Sequence, residues 1–336
     1  MENILNTREH PVIKFGNTGI LLVNLGTPRS YKWLDIRKYL NEFLNDRRVI
    51  ETNKYIWFFI LNIIILNLRP HKTAKNYKKI WFEKYNVSPL KFYTELQTTK
   101  LRKKFSSKNV IIDYAMRYGS PSIKEKICHL KKQGCENIIV LPLYPQYASP
   151  TTASVCDELY RVLLKMRWQP SIQVVPHYDS HPLYIKALAN SIKEKIKKLT
   201  YTPDMIITSY HGIPEKYFLK GDPYHCYCYK TTRLLEEKIN IKIPFLVTFQ
   251  SRFGPQKWLT PYTDKTLETL PKKGVKKVLV LCPGFSSDCI ETLEEINIQA
   301  RDLFLNNGGK NFDFVDCLND RDDHIDLLYQ LVSKFI

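Results

Sequence analysis

The sequence lacks the short motifs of the common nucleotide-binding and hydrolytic enzymes. It has only 12 glycines, and no two of them have the spacing of GxGxxG, GxxxxGKS/T or GxSxG. This argues against dinucleotide binding, P-loop chemistry and a nucleophile elbow. HExxH and the RNA-binding sheet motifs are also absent. Any chemistry must therefore come from side chains at the ends of its strands.

Long hydrophobic runs are scarce. The longest, Ile56–Leu66, is interrupted by Asn62 and is too short for the roughly 20 residues of a membrane-spanning helix. It predicts either a buried helix or a segment that rests on a membrane interface. The first residues, Met1–Lys14, have no apolar core of signal-peptide length. We therefore expect a cytoplasmic protein, with peripheral attachment to the inner face of the cytoplasmic membrane as the extension of that prediction.

The cysteines show no CxxC pair, although there are eight of them. Without a secretory signal, reduced thiols are expected. The one tight cluster is Cys226 and Cys228 beside His225, and no second pair has zinc-like spacing. A metal site at this cluster is therefore only the minor alternative.

Positive charge is in excess, since 51 Lys and Arg face 33 Asp and Glu for a net charge of +18. This favours an anionic partner, and the alternative is a set of solvated lysines without a partner. Because the nucleic-acid motifs are missing, we expect a membrane surface or an acidic small molecule and no nucleic acid.

Continuous apolar runs alternate with lysine-rich amphipathic stretches along the whole chain. This pattern predicts an α/β fold of buried parallel strands with helical crossovers. The predicted strands are Ile20–Leu25, Val110–Met116, Asn137–Leu143, Ile172–Val175, Met205–Ser209, Phe245–Val247 and Lys277–Leu281. The predicted helices are Tyr93–Lys104, Ile123–Gln133, Cys156–Arg167, Leu183–Lys198 and Tyr229–Asn240. Strand–helix order begins afresh at Met205, so we predict two similar domains, 1–170 and 171–336, with the apolar segment at about 55–70 in the first.

Candidate catalytic residues follow two of these strands. His211 follows the predicted strand Met205–Ser209 by two positions, where ligands bind in open α/β sheets, and a neutral imidazole can accept a proton or bind a metal near pH 7. Asp288 lies where a helix N-cap is expected, and Glu291 three residues later suits a capping box. Glu291 and Glu295 share a helix face. Asp288, Glu291 and Glu295 form an acidic row. This row is either a capped, solvated helix start or a carboxylate relay that leads to His211.

Aromatic residues are concentrated near the same strand ends. They are Tyr77, Tyr118, Tyr144, Tyr147, Tyr210, Tyr224, Trp258 and Phe285. Flat aromatic walls suit a large planar apolar ligand, and Arg69, Arg117 and Arg252 could pair with carboxylates at its rim. The alternative for any single aromatic residue is an ordinary core position.

These residues resemble the ferrochelatase family of class II chelatases, which insert ferrous iron into a porphyrin. The likeness extends from Gly19–Pro28 to Lys276–Ile296. Its most specific blocks are Tyr144–Tyr147 with Thr151 and Thr152, Ser209–Pro214, Gly221–Tyr224, Gln250–Pro255 with Trp258, and Ser287–Leu293. The resemblance implies two Rossmann-like domains with a porphyrin cleft between them, which agrees with the fold predicted from the apolar runs.

The resemblance also implies a role for each matching residue. His211 would accept pyrrole protons, contact the metal, or both. Glu291 would be its partner carboxylate in catalysis and in metal binding, and Asp288 and Glu295 would extend the relay of protons or metal. Arg117 and Tyr118 would face the histidine across the cleft. The implied porphyrin contacts are Arg69, Tyr77, Ser88, Arg117, Tyr118, Tyr144, Tyr224, Trp258 and Phe285. Ile56–Leu66 would form a hydrophobic lip over the cleft, and it could dip into the membrane.

The chain departs from the family pattern at three positions. Cys289 replaces a histidine that many members carry in the last block. Ser149 occupies the place of a cluster cysteine, and only Cys317 lies near the C-terminus, so we expect no 2Fe–2S cluster. Val87 replaces the glycine that usually precedes Ser88 and Pro89, and this puts the backbone shape of that loop in question.

The resemblance predicts insertion of Fe²⁺ into protoporphyrin IX, the last step of haem biosynthesis, without ATP and without a required cofactor. Fe²⁺ and protoporphyrin IX are then the substrates. The alternatives are a coproporphyrin ferrochelatase or cobalt chelatase of the same fold, and a non-catalytic haem-binding protein.

Overall fold

Two parallel four-stranded sheets organise the protein. The computed structural model describes residues 13–105 and 109–336. The strands are β1 (Asn17–Thr27), β2 (Val110–Gly119), β3 (Cys135–Pro142), β4 (Ser171–Val174), β5 (Met205–His211), β6 (Phe245–Gln250), β7 (Lys277–Leu281) and β8 (Asn311–Val315). Their orders are β2-β1-β3-β4 and β6-β5-β7-β8, with every pairing parallel. The predicted α/β architecture with two parallel sheets is confirmed.

Helices cover both faces of the sheets. They are α1 (Trp33–Leu44), α2 (Lys54–Phe59), α3 (Leu66–Ile80), α4 (Pro89–Lys104), α5 (Ile123–Lys132), α6 (Ser154–Leu163), α7 (Pro182–Lys198), α8 (Glu215–Leu219), α9 (Tyr224–Ile239), α10 (Thr263–Thr269), α11 (Arg301–Asn306) and α12 (Asp322–Ser333). Three further segments are π-helical, Ile60–Ile65, Ser149–Ala153 and Ile290–Ala300, and Leu270–Lys273 is a 3₁₀ turn. The five predicted helices are all present, with ends shifted by a few residues.

The central strands explain why apolar runs located the sheets. Residues 20–23 of β1 are completely buried, because helices cover both faces of a parallel sheet. The search for continuous apolar runs did not predict the edge strand β8, because its residues alternate between half-buried and buried positions. An alternating pattern of only five residues is a weak strand signal.

The two sheets share one hydrophobic core. Leu22 of β1 and Ile206 of β5 belong to the same cluster of buried side chains, together with Leu328 of α12. At the surface, Lys100 and Lys104 of α4 reach Asp322 and Asp326 of α12, which closes the C-terminal helix onto the first half.

The predicted domain boundary near residue 170 precedes β4, yet β4 pairs with β3 of the first sheet. Sheet membership changes between Val174 and Met205, where α7 lies. The division into two domains stays a prediction.

The expectation about a secretory signal falls mostly on residues 1–12, which lie outside the described residues. In the ranges that are described, no helix is both long enough and apolar enough to cross a bilayer.

Candidate active site

The candidate site is built where the second sheet ends. His211 is the last residue of β5 and pairs with Gln250 at the end of β6. The long π-helix, Ile290–Ala300, follows β7 after a short loop. Because the carboxyl ends of parallel strands meet at one edge, these three segments lie together at the position where α/β proteins bind ligands.

The backbone carbonyl of the next residue, Gly212, holds His211 in one tautomer. Its Nδ1 lies 2.7 Å from the carbonyl oxygen of Gly212, so Nδ1–H donates and Nε2 is left as the basic nitrogen. Gly212 is required here, because a Cβ at this position would lie 2.8 Å from Gln250 O and 3.2 Å from the Trp258 ring. Trp258 therefore packs directly beside the histidine loop.

The acidic row lies on a π-helix, whereas the spacing predicted an α-helix. The predicted cap was wrong by one residue: Cys289 is the N-cap, its N–H donates to Thr292 Oγ1 at 3.0 Å, and Asp288 and Glu291 do not form the predicted capping box. The helix begins one position later because Thr292, not Glu291, closes the box. π-Helical turns in proteins are often found at functional sites.

Glu295 is the carboxylate that interacts electrostatically with His211. Ser251 donates to it from its backbone N–H at 2.8 Å and from its hydroxyl at 2.5 Å. Burial raises the pKa of Glu295, the Ser251 hydroxyl and the charge of His211 oppose that shift, and Glu291 adds to it. The three side chains therefore form one electrostatic group.

Glu291 faces the other end of this row. Its backbone oxygen accepts from Gln250 Nε2 at 2.8 Å, and its side chain lines a small cavity that we call the inner cavity. The inner cavity is lined by Gly26, Thr27, Tyr77, Ile80, Ser88, Pro89, Leu90, Cys289, Ile290 and Glu291. Burial, followed by the charge of Glu291, raises the pKa of Tyr77 well above its usual value. Two of the porphyrin contacts implied by the resemblance, Tyr77 and Ser88, thus share one cavity with Glu291.

The side chain of Asp288 forms its hydrogen bonds outside the pair Glu291 and Glu295. Its carboxylate accepts from Asn319 Nδ2 at 2.6 Å, from the backbone N–H of Cys317 at 3.3 Å and from Thr292 Oγ1 at 3.0 Å. These bonds hold the loop after β8 to the start of the π-helix. A part in a proton relay stays a prediction for Asp288.

Arg117 and Tyr118 both donate hydrogen bonds to the buried carboxylate of Asp46. Asp46 Oδ2 accepts from Arg117 Nη2 at 2.5 Å, from Tyr118 OH at 2.8 Å and from Ser154 Oγ at 2.5 Å. The Tyr118 ring packs in the same cluster as Tyr77. The pair therefore anchors the loop after α1, and its implied position opposite the histidine stays a prediction.

The remaining implied porphyrin contacts occupy separate parts of the site. Phe285 packs beside Cys289 and Leu90, while Tyr224 is buried with Tyr210 in the core under α9. The hydroxyl of Tyr144 is buried and has no hydrogen-bond partner within the described residues. Contact of Tyr224 and Tyr144 with a porphyrin stays a prediction.

The apolar segment Ile56–Leu66 forms α2, a π-helical turn and the start of α3. Leu61 and Leu66 are fully buried. The other face is open, with exposed fractions of 52–70% for Ile56, Phe58, Phe59, Ile63, Ile64 and Leu68. A wholly buried helix was one of the two predictions for this segment, and it is wrong. Arg69, in the next turn, lies 4.8 Å from the Phe253 ring centre across the site.

Two of the three departures from the family pattern have structural explanations. Burial, followed by the charge of Glu291, raises the pKa of the Cys289 thiol well above its usual value, so it is a neutral thiol at pH 7. Ser149 donates only its backbone N–H to Asp222, at 2.7 Å, so the structure does not explain the choice of serine at this position. Val87 pairs with Phe82 across a tight turn, and the left-handed position falls on Asn86, with φ 49°, so a glycine is not needed at 87.

Cys226 is exposed whereas Cys228 is buried, so these two thiols lie on different faces of α9. Throughout residues 13–105 and 109–336, no group of three His, Cys, Asp or Glu side chains is arranged to hold a metal ion. A ligand set for the metal stays a prediction.

Three functional residues were missed by sequence reasoning. Ser251 holds Glu295, Gln250 holds the backbone of Glu291, and Asp46 holds Arg117 and Tyr118. Gln250 ends β6 and Ser251 follows it, so their position at the end of a strand was a usable signal. Asp46 carried no signal in the sequence, because only the fold brings it to Arg117 and Tyr118.

Comparison with known proteins gives a consistent result. The Ferrochelatase family model matches residues 17–335. A ferrochelatase of Allorhizobium ampelinum is 52% identical over 328 residues, covering 97% of this chain and 95% of that protein. One from Francisella tularensis is 51% identical over 326 residues, covering 96% and 97%.

Solved structures share the fold at low identity. SirB from Bacillus subtilis with Fe³⁺ has a TM-score of 0.57 at 13% identity, with 95% of each chain covered. CbiX, described as the terminal enzyme for biosynthesis of sirohaem in denitrifying bacteria, has a TM-score of 0.53 at 9% identity, covering 95% of this chain and 99% of that one.

Proposed function

The chain belongs to the ferrochelatase family, the lyases of haem biosynthesis that insert Fe²⁺ into a porphyrin, and we propose that its porphyrin is protoporphyrin IX. We further propose that His211, Glu291 and Glu295 carry the chemistry. The observation that carries the assignment of residues is that His211, at the end of β5, lies next to Gln250, whose side chain holds the Glu291 backbone, while the adjacent Ser251 binds the Glu295 carboxylate.

The reaction has a simple balance. Two pyrrole N–H bonds break, Fe–N bonds form in their place, and two protons leave the ring. The free Nε2 of His211 accepts one proton as a neutral imidazole. Burial has raised the pKa of Glu295, which makes its carboxylate a stronger base than an exposed one, and it receives protons in turn through the row.

Iron insertion also requires that the macrocycle bend, so that the nitrogen lone pairs become accessible. Trp258 beside Gly212 and Phe285 beside Cys289 supply rigid aromatic surfaces. Binding elsewhere on the porphyrin can supply strain of roughly 1–5 kcal/mol in the ring. The chain needs no ATP for this, in line with its missing phosphate loops.

An anaerobic assay tests the proposal. Protein, protoporphyrin IX and ferrous iron are mixed, and conversion of the porphyrin spectrum to that of haem is followed. We expect turnover with the wild type, a loss of at least about 100-fold in kcat for His211→Ala, and no change for His129→Ala, an exposed histidine on α5. Equal rates for His211→Ala and wild type would remove the histidine from the mechanism. A wild type that binds haem without any turnover would favour the haem-binding alternative.

We also propose that the open face of Ile56–Leu68 rests on an anionic membrane surface. Six large apolar side chains are exposed on it, and the protein carries a charge of +18 that favours anionic headgroups. Sedimentation with anionic liposomes at low salt should retain the wild type and lose the double variant Phe58→Asp/Ile63→Asp. The matched control is Leu164→Asp, an 82% exposed residue at the end of α6, which should sediment like wild type. Wild type that stays in the supernatant contradicts the proposal.

A further inference from the structure

The side chain of Gln250 lies at the centre of a buried hydrogen-bond network beside the site. It is 3% exposed. Its Oε1 accepts from the hydroxyl of Ser209 in β5 at 2.7 Å and from Sγ of Cys282, directly after β7, at 3.5 Å. Its Nε2 donates to the backbone oxygen of Glu291, in the first turn of the π-helix, at 2.8 Å. One amide therefore connects the carboxyl ends of three neighbouring strands to the start of the π-helix.

The neighbours of Gln250 fix the direction in which its amide points. Ser209 and Cys282 present an O–H and an S–H donor on one side, and Glu291 presents a carbonyl oxygen on the other. A flipped amide would place Oε1 against that carbonyl, so that two acceptors faced each other with no proton between them. Ser209 is fully buried, and its Oγ lies 2.9 Å from Thr263 Oγ1. The donor that orients the amide is therefore itself held in place, away from competing water.

The backbone of Gln250 also supports the histidine. Gln250 is the register partner of His211 in the pairing of β5 with β6, and its carbonyl oxygen accepts the Gly212 N–H at 2.7 Å. The Gly212 carbonyl in turn lies 2.7 Å from His211 Nδ1. The loop that orients the imidazole and the helix turn that carries Glu291 are therefore both attached to one residue.

The end of β6 binds the π-helix at two points. Gln250 holds the backbone of Glu291, and Ser251 donates to the Glu295 carboxylate from its N–H at 2.8 Å and from its hydroxyl at 2.5 Å. The π-helix is 11 residues long, whereas most π-helical segments are single turns. Two attachments about one turn apart resist rotation of the helix about its axis, and that rotation decides where its carboxylates point.

We propose that Gln250 is a positioning residue for iron insertion, whose side-chain amide holds the first turn of the π-helix so that Glu291 stays directed at the site that contains His211. This inference rests on the proposed function, because it assigns Gln250 to the reaction of those two residues. Gln250 acts through Glu291 and not on the porphyrin, since it is almost completely buried. Misplacement of a reacting group by about 1 Å lowers a rate by about 100-fold, so the amide contributes to kcat and not to porphyrin affinity.

The first experiment measures kcat and KM separately. Gln250→Met keeps the length of the side chain and the backbone bond to Gly212, but it removes the amide. In the anaerobic chelation assay we expect kcat to fall about 10- to 100-fold, with KM for protoporphyrin IX within about twofold of wild type. The matched control is Gln169→Met, which removes an exposed amide that donates to the carbonyl of Leu163 at 2.9 Å; its kcat should equal that of wild type. An unchanged kcat for Gln250→Met, or a loss that appears only in KM, overturns the inference.

A double-mutant cycle tests whether Ser209 acts through the amide. Ser209→Ala leaves Gln250 in place and removes one neutral hydrogen bond to it, so kcat should fall by about 3- to 10-fold. In the double variant Ser209→Ala/Gln250→Met, kcat should equal that of Gln250→Met alone, because the hydroxyl then has no amide to orient. Losses that multiply would show that Ser209 acts independently, and they would contradict the network.

Hydrogen exchange, read by mass spectrometry, tests the attachment of the helix without turnover. Peptides from the π-helix Ile290–Ala300 should exchange faster in Gln250→Met than in wild type, whereas peptides from α12 should not change. Ser209→Ala provides the same comparison if Gln250→Met does not fold. Equal exchange of the π-helix in variant and wild type overturns the inference. Absence of chelation in wild type counts instead against the proposed function, so the two failures are distinguishable.

Discussion

Replacement of Asp46 with alanine should destabilise the protein strongly, because one buried carboxylate serves three partners. Its Oδ2 accepts from Arg117, Tyr118 and Ser154. The side chains of Asp46 and Arg117 are each only 8% exposed. Without the carboxylate, the Arg117 guanidinium stays buried with no counterion, which costs about 3–5 kcal/mol of unfolding free energy.

An exposed ion pair close by provides the matched control. Arg48 and Asp157 lie 2.7 Å apart, with side chains 43% and 40% exposed. Solvent screens such a pair, so Asp157→Ala should cost about 0–1 kcal/mol. Urea unfolding at pH 7 measures both variants. With a slope of roughly 3 kcal/mol per M, Asp46→Ala should lower the midpoint by roughly 1 M or more, and Asp157→Ala by roughly 0.3 M or less.

Acid pH provides an independent check on the same carboxylate. Burial alone would raise the pKa of Asp46, but hydrogen bonds from Ser154, the Arg48 N–H and Tyr118, with the charge of Arg117, lower it overall. A carboxyl with a lowered folded-state pKa stabilises the fold above its unfolded pKa of about 3.9 and loses that contribution as the pH falls further. The stability gap between wild type and Asp46→Ala should therefore narrow below about pH 4.

The reasoning is refuted if Asp46→Ala and Asp157→Ala shift the urea midpoint equally, or if the gap for Asp46→Ala is the same at pH 7 and in acid. The double variant Asp46→Leu/Arg117→Met removes both charges together. It should recover part of the lost stability, because an apolar pair of similar volume leaves no buried charge.

Two further predictions concern the π-helix and its neighbours. A maleimide at neutral pH should label the exposed thiol of Cys226 in the native protein and reach Cys289 only after unfolding, because burial and Glu291 raise the pKa of that thiol; rapid native labelling of Cys289, read by mass spectrometry, would contradict this. Lys79→Ala should lower the unfolding free energy by about 1–3 kcal/mol, since Glu294 is 2% exposed and lies 2.7 Å from Lys79. The exposed neighbour variant Lys78→Ala should be near neutral, and a similar loss for both variants in urea unfolding would argue against a specific pair.

Local sequence was sufficient for seven of the eight described strands and for the position of the histidine at a strand end. A parallel strand is buried on both faces, so it must be a continuous apolar run, as in β1 and β7. Ligands bind beyond the carboxyl ends of such strands, and this principle predicts His211 as a candidate site residue from the sequence alone. The resemblance to the ferrochelatase family, which the comparisons confirm, rested on short blocks of residues in these same loops.

Contacts between distant segments were beyond the reach of the sequence. The spacing of Glu291 and Glu295 is compatible with an α-helix and with a π-helix, and only the packed structure selects the π-helix. Ser251 meets Glu295 across 44 positions of sequence, and Asp46 meets Arg117 across 71. Such partners leave no periodic signal, because a hydrogen bond between remote segments depends on how whole elements pack.

What the sequence determined by itself was therefore the alternation of buried strands and amphipathic helices, together with the reactive residues at strand ends, since burial and turn chemistry are local properties. The tertiary structure alone decided which side chains interact electrostatically, which thiol stays neutral and which residues line the inner cavity, because those properties depend on distance and desolvation between elements that are far apart in sequence.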